Sequence, residues 1–471
     1  MHSNINEVGI IYYQNKLYLT KELFRIMYRC HKSLLLLLIL ASSIFLVFFR
    51  SDNVVVSDTS VEVIHSNGID ENFLIWEKTY GEKGDDRAFG LIMDSYNYLV
   101  VGSSRSLTEG RTKSWVLKLD NNGSVIWDKK NFSDLDNEAR SILSLVDGYL
   151  IVGNVFAPSG EVHGFVVKID KNGKSIWNTT LSFGKIDKLF SAIEIDDGFL
   201  LVGSTETYLN NVDMLLVKID IDGNLLFHKN YGGTLDDAAR AITITEDKNY
   251  LITGYTNSFG KGDYDFQVLK IDGSGFLLWN KTYGGTQSDK AYATELIPDG
   301  FIILGDTNSK GNGDSDAWIL KIGLTGNLEW DITAGGKKFD MPTCIEVSKY
   351  GGYLIGGFTF SFGNGQRDFW LFKISEYGDL IWTSTLGRSN FEEAYDLKEL
   401  SENQFLMAGW TNSVGQGSYD YYVTKFGFKT EGSRMINYLF MGLISISVSL
   451  LIFFSLRNYF RSKEKKSYAE S

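Results

Sequence analysis

Cysteine, proline and histidine are all scarce: 471 residues contain two Cys, three Pro and five His. Cys30 and Cys344 lie far apart, and Cys30 borders an apolar run, so neither a disulfide framework nor a zinc site can be built from them. Of the histidines, only His163 and His228 fall inside the repeats described below, and neither has a sequence partner. Gly-x-Ser-x-Gly, His-Glu-x-x-His and a phosphate-binding Gly-Lys-Thr loop are all absent, which removes the commonest hydrolase and nucleotidase signatures. Basic charge is short as well. The net charge is −12, and residues 1–50 and 435–471 carry +4 and +3, which leaves −19 on 51–434. An acidic middle excludes nucleic acid as partner, because phosphate contacts need a basic face, and leaves cations or basic partners open. What is abundant is Gly (48 residues) and aromatics (14%), a composition of short strands joined by tight turns.

Two apolar runs flank that middle. Leu34 to Phe49 is broken only by Ser42 and Ser43, follows Arg25, Arg29, His31 and Lys32, and ends at Arg50. It suits a signal-peptide core or a short spanning helix over 33–50. Without a clear small-residue cleavage site it reads as an uncleaved anchor, and Met27 is an alternative start to Met1. Met435 to Leu456 has no charged residue and spans roughly 33 Å as a helix. Arg457, Arg461, Lys463, Lys465 and Lys466 follow it. The basic flanks place both termini, 1–32 and 457–471, in the cytoplasm and residues 51–434 outside a cell membrane. Residues 51–72 and 428–434 lack the repeat and read as linkers.

Between the runs, three series recur. Lysines stand at 118, 168, 218, 270, 321, 373 and 425, in phrases such as Val-Leu-Lys-Ile-Asp (268–272). Aromatics stand at Trp76, Trp127, Trp177, Phe227, Trp279, Trp330 and Trp382. Glycines at 102, 153, 203, 254, 305, 357 and 409 each end a strand-like run. The unit of about fifty residues reads as four short strands with Gly/Asp turns. The fold class is therefore all-β: a seven-bladed β-propeller over 73–427, flanked by two transmembrane helices. The array starts on a lone fourth strand, 73–80, and ends without one, so the first strand should complete the last blade and remove an open edge. The lysine reads as a solvated strand position, and the aromatic series as core that wedges each blade against its neighbour.

Loops after second and fourth strands should share a face. It carries Tyr-Gly-Gly-Thr-Leu-Asp-Asp (231–237), Tyr-Gly-Gly-Thr-Gln-Ser-Asp (283–289), Gly-Lys-Gly-Asp-Tyr-Asp (260–265) and Gly-Asn-Gly-Asp-Ser-Asp (311–316). The candidate ligand or metal residues are Asp236, Asp237, Asp263, Asp265, Asp289, Asp314, Asp316, Asp368 and Asp420, with Asp213 in the same series. Carboxylates on such turns can serve Ca²⁺, yet Asp is also a turn former by its own hydrogen bonding, and Ser114 and Gly164 interrupt the series. No other cofactor is expected. The pairs Asp85–Asp86, Asp236–Asp237 and Glu392–Glu393 could form a glycosidase-like dyad, but their recurrence favours a structural role.

The hairpin Lys-Ile-Asp-Lys-Asn-Gly-Lys-Ser-Ile-Trp (168–177) resembles the repeat of quinoprotein-type propellers, and 118–127 and 218–227 match it comparably. The resemblance implies the propeller fold and a docking role for the Trp. It does not carry over the quinone, since those dehydrogenases usually have eight blades and many have a vicinal Cys pair, which is missing here. The Tyr-Gly-Gly…Asp and Thr-Asn-Ser-x-Gly-x-Gly phrases are similar to propeller-repeat surface proteins of archaea and bacteria. A cell-surface binding module for an unidentified protein or glycan is the leading expectation. An envelope enzyme on the acidic loop face, quinone-dependent or hydrolytic, is the alternative, and a sensor with short tails a third. Asn122, Asn131, Asn178 and Asn280 begin glycosylation sequons.

Overall fold

Period-2 alternation and Gly/Asp turns give four strands per repeat, and the computed structural model describes residues 60–62, 72–105, 111–130, 132–206 and 211–428. The expected membrane segments, both tails, most of the linkers and Asn131 lie outside the described residues. Among the described residues no helix is long and apolar enough to cross a membrane.

One repeat shows the plan. Strands Asp237–Ile244, Tyr250–Thr256, Asp265–Ile271 and Leu277–Tyr283 form an antiparallel meander in sequence order. The second and third strands are buried along nearly their whole length, while the fourth alternates exposed and half-buried residues. Apolar side chains from adjacent sheets share each core. One such core joins Ile302, Leu304 and Ile319 of one sheet to Ile345, Ile355 and Phe372 of the next. The first strands are Asp86–Asp94, Asp136–Ser144, Ile186–Ile195, Asp237–Ile244, Asp289–Ile297, Asp340–Val347 and Glu392–Ser401. They pack on one another in that order, and the last packs back on the first. This is a β-propeller, with the first strands around a central channel and the fourth strands outermost. Strand Asn72–Tyr80 pairs antiparallel with Asp420–Phe428, so residues distant in sequence share one four-stranded sheet.

Two details differ from expectation. The lysine series is not simply solvated: Lys118, Lys270, Lys373 and Lys425 are buried. Their aliphatic stems pack in the sheet, and the ammonium of Lys118, Lys270 and Lys373 reaches an oxygen at the turn between first and second strands, while that of Lys425 reaches Tyr98 and Asn121 of the adjoining sheet. Lys118 meets Asp94 at 2.8 Å, Lys168 meets Asp147 at 2.9 Å and Lys270 meets Asp247 at 2.7 Å. Secondly, the linker is not wholly outside the sheets. Ser60–Glu62 runs parallel to Thr333–Gly335 of strand Leu328–Gly335, using the open outer edge that a fourth strand presents.

The lysine pairs carry a pH signature. Burial opposes the charge on Asp94, but hydrogen bonds from Lys118 and Tyr149 hold its carboxyl down at about 2. That stability is present above the unfolded carboxyl value, about 3.9, and is lost as pH falls through the folded one. Asp94→Asn is expected to lose about 1–2 kcal/mol at pH 7 and less near pH 2, measured by urea unfolding at both pH values.

Candidate binding site at the channel mouth

The Tyr-Gly-Gly phrase follows a fourth strand, and each of its residues has a separate task. The Tyr231 and Tyr283 hydroxyls each donate at 2.6 Å to a hairpin carbonyl of the next sheet, those of Gly275 and Gly326. The first glycine leaves room for a carboxylate of the third strand behind it. A Cβ on Gly284 would stand 1.5 Å from Asp265 Oδ1, and one on Gly335 would stand 1.9 Å from Asp316 Oδ1. The second glycine donates its N–H to the carboxylate that opens the next first strand: Gly233 to Asp237 and Gly285 to Asp289 at 2.8 Å, Gly336 to Asp340 at 2.7 Å.

The Thr-Asn-Ser phrase closes the same joint. Ser258 and Ser309 hydroxyls donate to Asp237 (2.7 Å) and Asp289 (2.8 Å), and Thr307 and Thr359 hydroxyls donate to Asp289 and Asp340. Third-strand aspartates are held from the Gly-x-Gly loop. Asp316 Oδ2 accepts from Asn312 and Gly313 N–H at 2.7 and 3.1 Å, and Asp420 Oδ2 accepts from Gln416 and Gly417 at 2.9 and 3.0 Å. Asp265 and Asp368 are bonded in the same way.

Five joints thus bring two carboxylates side by side: Asp213 with Asp237, Asp265 with Asp289, Asp316 with Asp340, Asp368 with Glu392 and Asp420 with Asp86. The outer oxygen of Asp265, Asp316 and Asp368, and Oδ1 of Asp237, have no hydrogen-bond partner. Burial, and then the neighbouring acid, lifts Asp316 to about 6 and raises Asp213, Asp368 (after burial, despite N–H bonds) and Asp420. Where the third strand carries Ser114 in place of Asp, the partner is Asn137, whose Oδ1 accepts from Ser114 N–H at 3.0 Å and from its hydroxyl. The joint pairs supply two carboxylates apiece, against the six to eight oxygens Ca²⁺ takes. Among the described residues no three Asp, Glu, His or Cys side chains converge on a metal position. The acidic neighbours in sequence do not form dyads. Asp236 is half-buried and accepts from Val212 N–H, while Asp237 is sealed in the joint. Asp263 and Asp314 are exposed at the loop tips. His163 and His228 stand on different strands, Val162–Asp170 and Leu225–Tyr231, in different repeats.

The aromatic series lies at the opposite end of the fourth strands. The Trp76 and Trp177 indoles donate to Asn121 and Ile221 carbonyls in the next sheet's hairpin at 3.0 and 3.1 Å. Trp127 and Trp279 press on the hairpin glycines Gly173 and Gly326, where a Cβ would stand 3.1 Å from each ring. Trp330 and Trp382 stack toward Tyr353 and Phe405, and the Phe227 ring packs on the core that Ile193 and Ile195 share.

The strand glycines prove to have a geometric cause. Every first strand has a bulge after its third or fourth residue, at Phe89, Arg140, Phe190, Arg240, Tyr292, Thr343 and Tyr395. The carbonyl two residues before the bulge then presses on the second-strand glycine. A Cβ on Gly102, Gly203 or Gly409 would stand 1.9, 1.7 or 1.8 Å from the oxygen of Arg87, Lys188 or Glu393. Bulges re-aim side chains and gather at barrel rims and sites. Here they bring a ring of arginines and aromatics to the channel.

Arg140 lies 4.2 Å from the Phe89 ring centroid and Arg240 4.1 Å from that of Phe190. Phe89 meets Tyr395 edge-on at 5.1 Å. One residue layer nearer the loops, Arg87 covers Trp410 and Tyr419, and Lys290 covers Tyr255 and Tyr264. Glu138 bonds Arg140 at 2.8 Å, and Glu393 pairs with Arg367. Tyr292 and Ser315 hydroxyls both donate at 2.6 Å to Asp306, whose carboxyl burial pushes up. Arg87, Lys188, Arg240 and Lys290 have no carboxylate within ion-pair distance among the described residues. Deeper in the channel, first-strand alternation puts Ile92, Leu143 and Ile193 on one side and Glu295, Glu346 and Lys398 on the other. Burial lifts Glu295 to about 7.

The aspartate search in sequence overlooked this ring. Its signal is the phrase Asp-x-Ala-Arg/Phe/Tyr-small that opens first strands, as in Asp86-Arg-Ala-Phe-Gly and Asp237-Ala-Ala-Arg-Ala, which breaks period-2 alternation at the bulge.

No family model matches the chain. Over 156 residues, 28% of this chain, it is 21% identical to regulatory protein FlaEY of Caulobacter vibrioides, and the match spans 16% of that protein's length. Among solved structures it is similar to the β-propeller domain of the Trilobed protease from Pyrococcus furiosus (10% identity, TM-score 0.41, 75% of this chain and 94% of that one). It is similar also to a puromycin hydrolase mutant (12%, TM-score 0.45, 72% of this chain and 51% of that one). The Pyrococcus horikoshii acylaminoacyl peptidase matches at 12% identity and a TM-score of 0.40, over 71% of this chain and 50% of that one. The activities in those names are those proteins' own.

Proposed function

We propose that the protein is a binding module: a seven-bladed propeller held outside the cytoplasm by membrane segments at 33–50 and 435–456, with the loop face around its channel as the recognition surface. The observation that carries this reading is the contrast of charge at the mouth. A chain with a net charge of −12 keeps Arg87, Lys188, Arg240 and Lys290 without a carboxylate partner on channel-facing strands, while joint carboxylates such as Asp237 and Asp316 are engaged by backbone N–H groups and hydroxyls. Scaffolding alone does not call for that arrangement. Binding matches the rest. The C-terminal linker leaves beside Asn72, where Phe428 pairs, and the N-terminal linker runs on to the outer edge of strand Leu328–Gly335, so both would reach a membrane from the outer strands with the channel loops free. Asn122, Asn178 and Asn280 are exposed, as surface glycosylation would need. The partner is a surface protein or a glycan.

The test uses full-length protein in detergent, immobilised and probed with an array of neutral and acidic glycans and envelope proteins, alongside ester, amide and glycoside substrates. Saturable binding without turnover is the expected outcome. Turnover with no saturable binding would reverse the assignment in favour of an envelope enzyme.

A further inference from the structure

Among the cations at the mouth that lack a carboxylate, Lys188, Arg240 and Lys290 stand on three consecutive first strands, while Arg87 lies apart from them. Arg140 and Arg367 answer to Glu138 and Glu393. Lys188, Arg240 and Lys290 have no such counterpart among the described residues. Arg240 and Lys290 moreover lie against a single ring: Arg240 Cζ is 5.3 Å and Lys290 Nζ 5.2 Å from the Tyr255 centroid. Two like charges on one side chain, partly out of water, repel each other, and stacking on an aromatic recovers only part of that energy. Asp306 faces Lys290 across the strand pair but already accepts from Tyr292 and Ser315.

The Arg240 guanidinium is also short of acceptors. It donates to Tyr255 Oη at 3.1 Å, and its Nε is buried with no partner. Arg240 Cζ lies 4.1 Å from the Phe190 ring centroid, and an aromatic contact this close restricts the side chain while leaving guanidinium N–H groups for a planar oxyanion. Such pre-orientation favours ligand binding because little side-chain freedom remains to be lost. Joint carboxylates nearby do not meet this demand. Asp237 and Asp289 lie on the far side of their strands, buried, and accept from Gly233, Ser258, Gly285 and Ser309.

We propose that Lys188, Arg240 and Lys290, with the Tyr255 and Tyr292 rings beside them, form an oxyanion site in the channel mouth for a ligand bearing a carboxylate, sulfate or phosphate group. This rests on the reading of the propeller as a binding module and names the chemistry of its ligand. Arg240 supplies the bidentate edge, Lys290 the second charge, and exposed Lys188 draws the anion inward from the loop side. The Lys290–Asp306 facing pair sets the limit of the positive region, so a compact anionic group fits and a polyanion does not.

The test is calorimetric titration of the full-length protein in detergent with glucuronate, glucose 6-sulfate, glucose 6-phosphate and neutral glucose, and with inorganic sulfate and phosphate. Saturable binding of at least one anionic sugar, none of glucose, and affinity falling with salt are expected. Comparison of the three anionic sugars identifies the group, and the inorganic ions show whether the group suffices without the sugar. Arg240→Gln and Lys290→Gln should each weaken binding about tenfold, while Lys174→Gln, on an exposed hairpin, should not. Melting of each variant without ligand establishes that it is folded, and two independent variants guard against one failing to fold. No binding of any anion to wild-type protein, or equal binding by both folded variants, overturns the proposal. If anions fail while a neutral glycan or an envelope protein on the array binds, this proposal falls and the binding-module reading stands.

Discussion

Gly203→Ala is expected to destabilise the protein by about 3 kcal/mol. The added Cβ would stand 1.7 Å from the Lys188 carbonyl oxygen and 3.0 Å from Leu189 Cα. These are backbone atoms of a strand hydrogen-bonded along its length to the strand that carries Gly203, so nothing flexible can yield. Relief requires the bulge at Phe190 to flatten, which would turn Phe190 and the strand beyond it to new faces. The substitution should therefore also lower affinity for any ligand of the channel mouth. Gly273→Ala is the control. Nothing lies within 4 Å of its Cβ position, so urea midpoints should fall markedly for the first variant and hardly for the second.

Stability should rise as pH falls from 8 to about 5, against the usual behaviour of paired carboxylates. Asp316 has a folded value of about 6, set by burial and by Asp340, against about 3.9 when unfolded. A raised carboxyl means that folding takes up a proton between those values. Its favourable contribution is complete below about pH 4 and disappears as pH rises through 6. Two pH units correspond to about 2–3 kcal/mol for this one group, as an order of magnitude. Asp213, Asp368 and Asp420 shift in the same direction, as does Glu295 in the channel. Asp94 opposes this only below pH 4.

Asp316→Asn isolates the cause. The amide oxygen can still accept from Asn312 and Gly313, and the NH₂ takes the place of the orphaned Oδ1, facing Asp340. The variant should be about 1–2 kcal/mol more stable than wild type at pH 8, and its stability should vary less between pH 5 and 8. Asp316→Ala should be less stable at both, since it strands two loop N–H groups. The Ser114–Asn137 joint already carries an amide in place of an acid.

The propeller was legible because its punctuation repeats. Gly, Lys and Trp recur in step, and the lone strand read at 73–80 announced its place in the last blade, where the structure pairs Asn72–Tyr80 with Asp420–Phe428. Single residues were harder to read. The lysines looked solvated because Lys usually is, and only the turn aspartates Asp94, Asp147 and Asp247 in three dimensions explain their burial. The aspartates drew attention as ligands because their types repeat. Their partners are backbone N–H groups, which every residue has and no sequence pattern reveals. The channel ring escaped notice for the opposite reason. Phe89, Arg140, Phe190, Arg240, Tyr292, Thr343 and Tyr395 share a position but not a residue type, and a bulge removes them from the alternation that would have grouped them. The linker strand Ser60–Glu62 has no repeat signal, since any short extended segment can use an open edge.

Parallel measurement of binding and turnover on full-length protein, across the same glycan, envelope-protein and hydrolase-substrate panel, tests the assignment of a recognition module most directly. Saturable binding that Arg240→Gln and Lys290→Gln weaken, with no product formed, is the expected result. Turnover that survives both substitutions, with no saturable binding to any member of the panel, would contradict it.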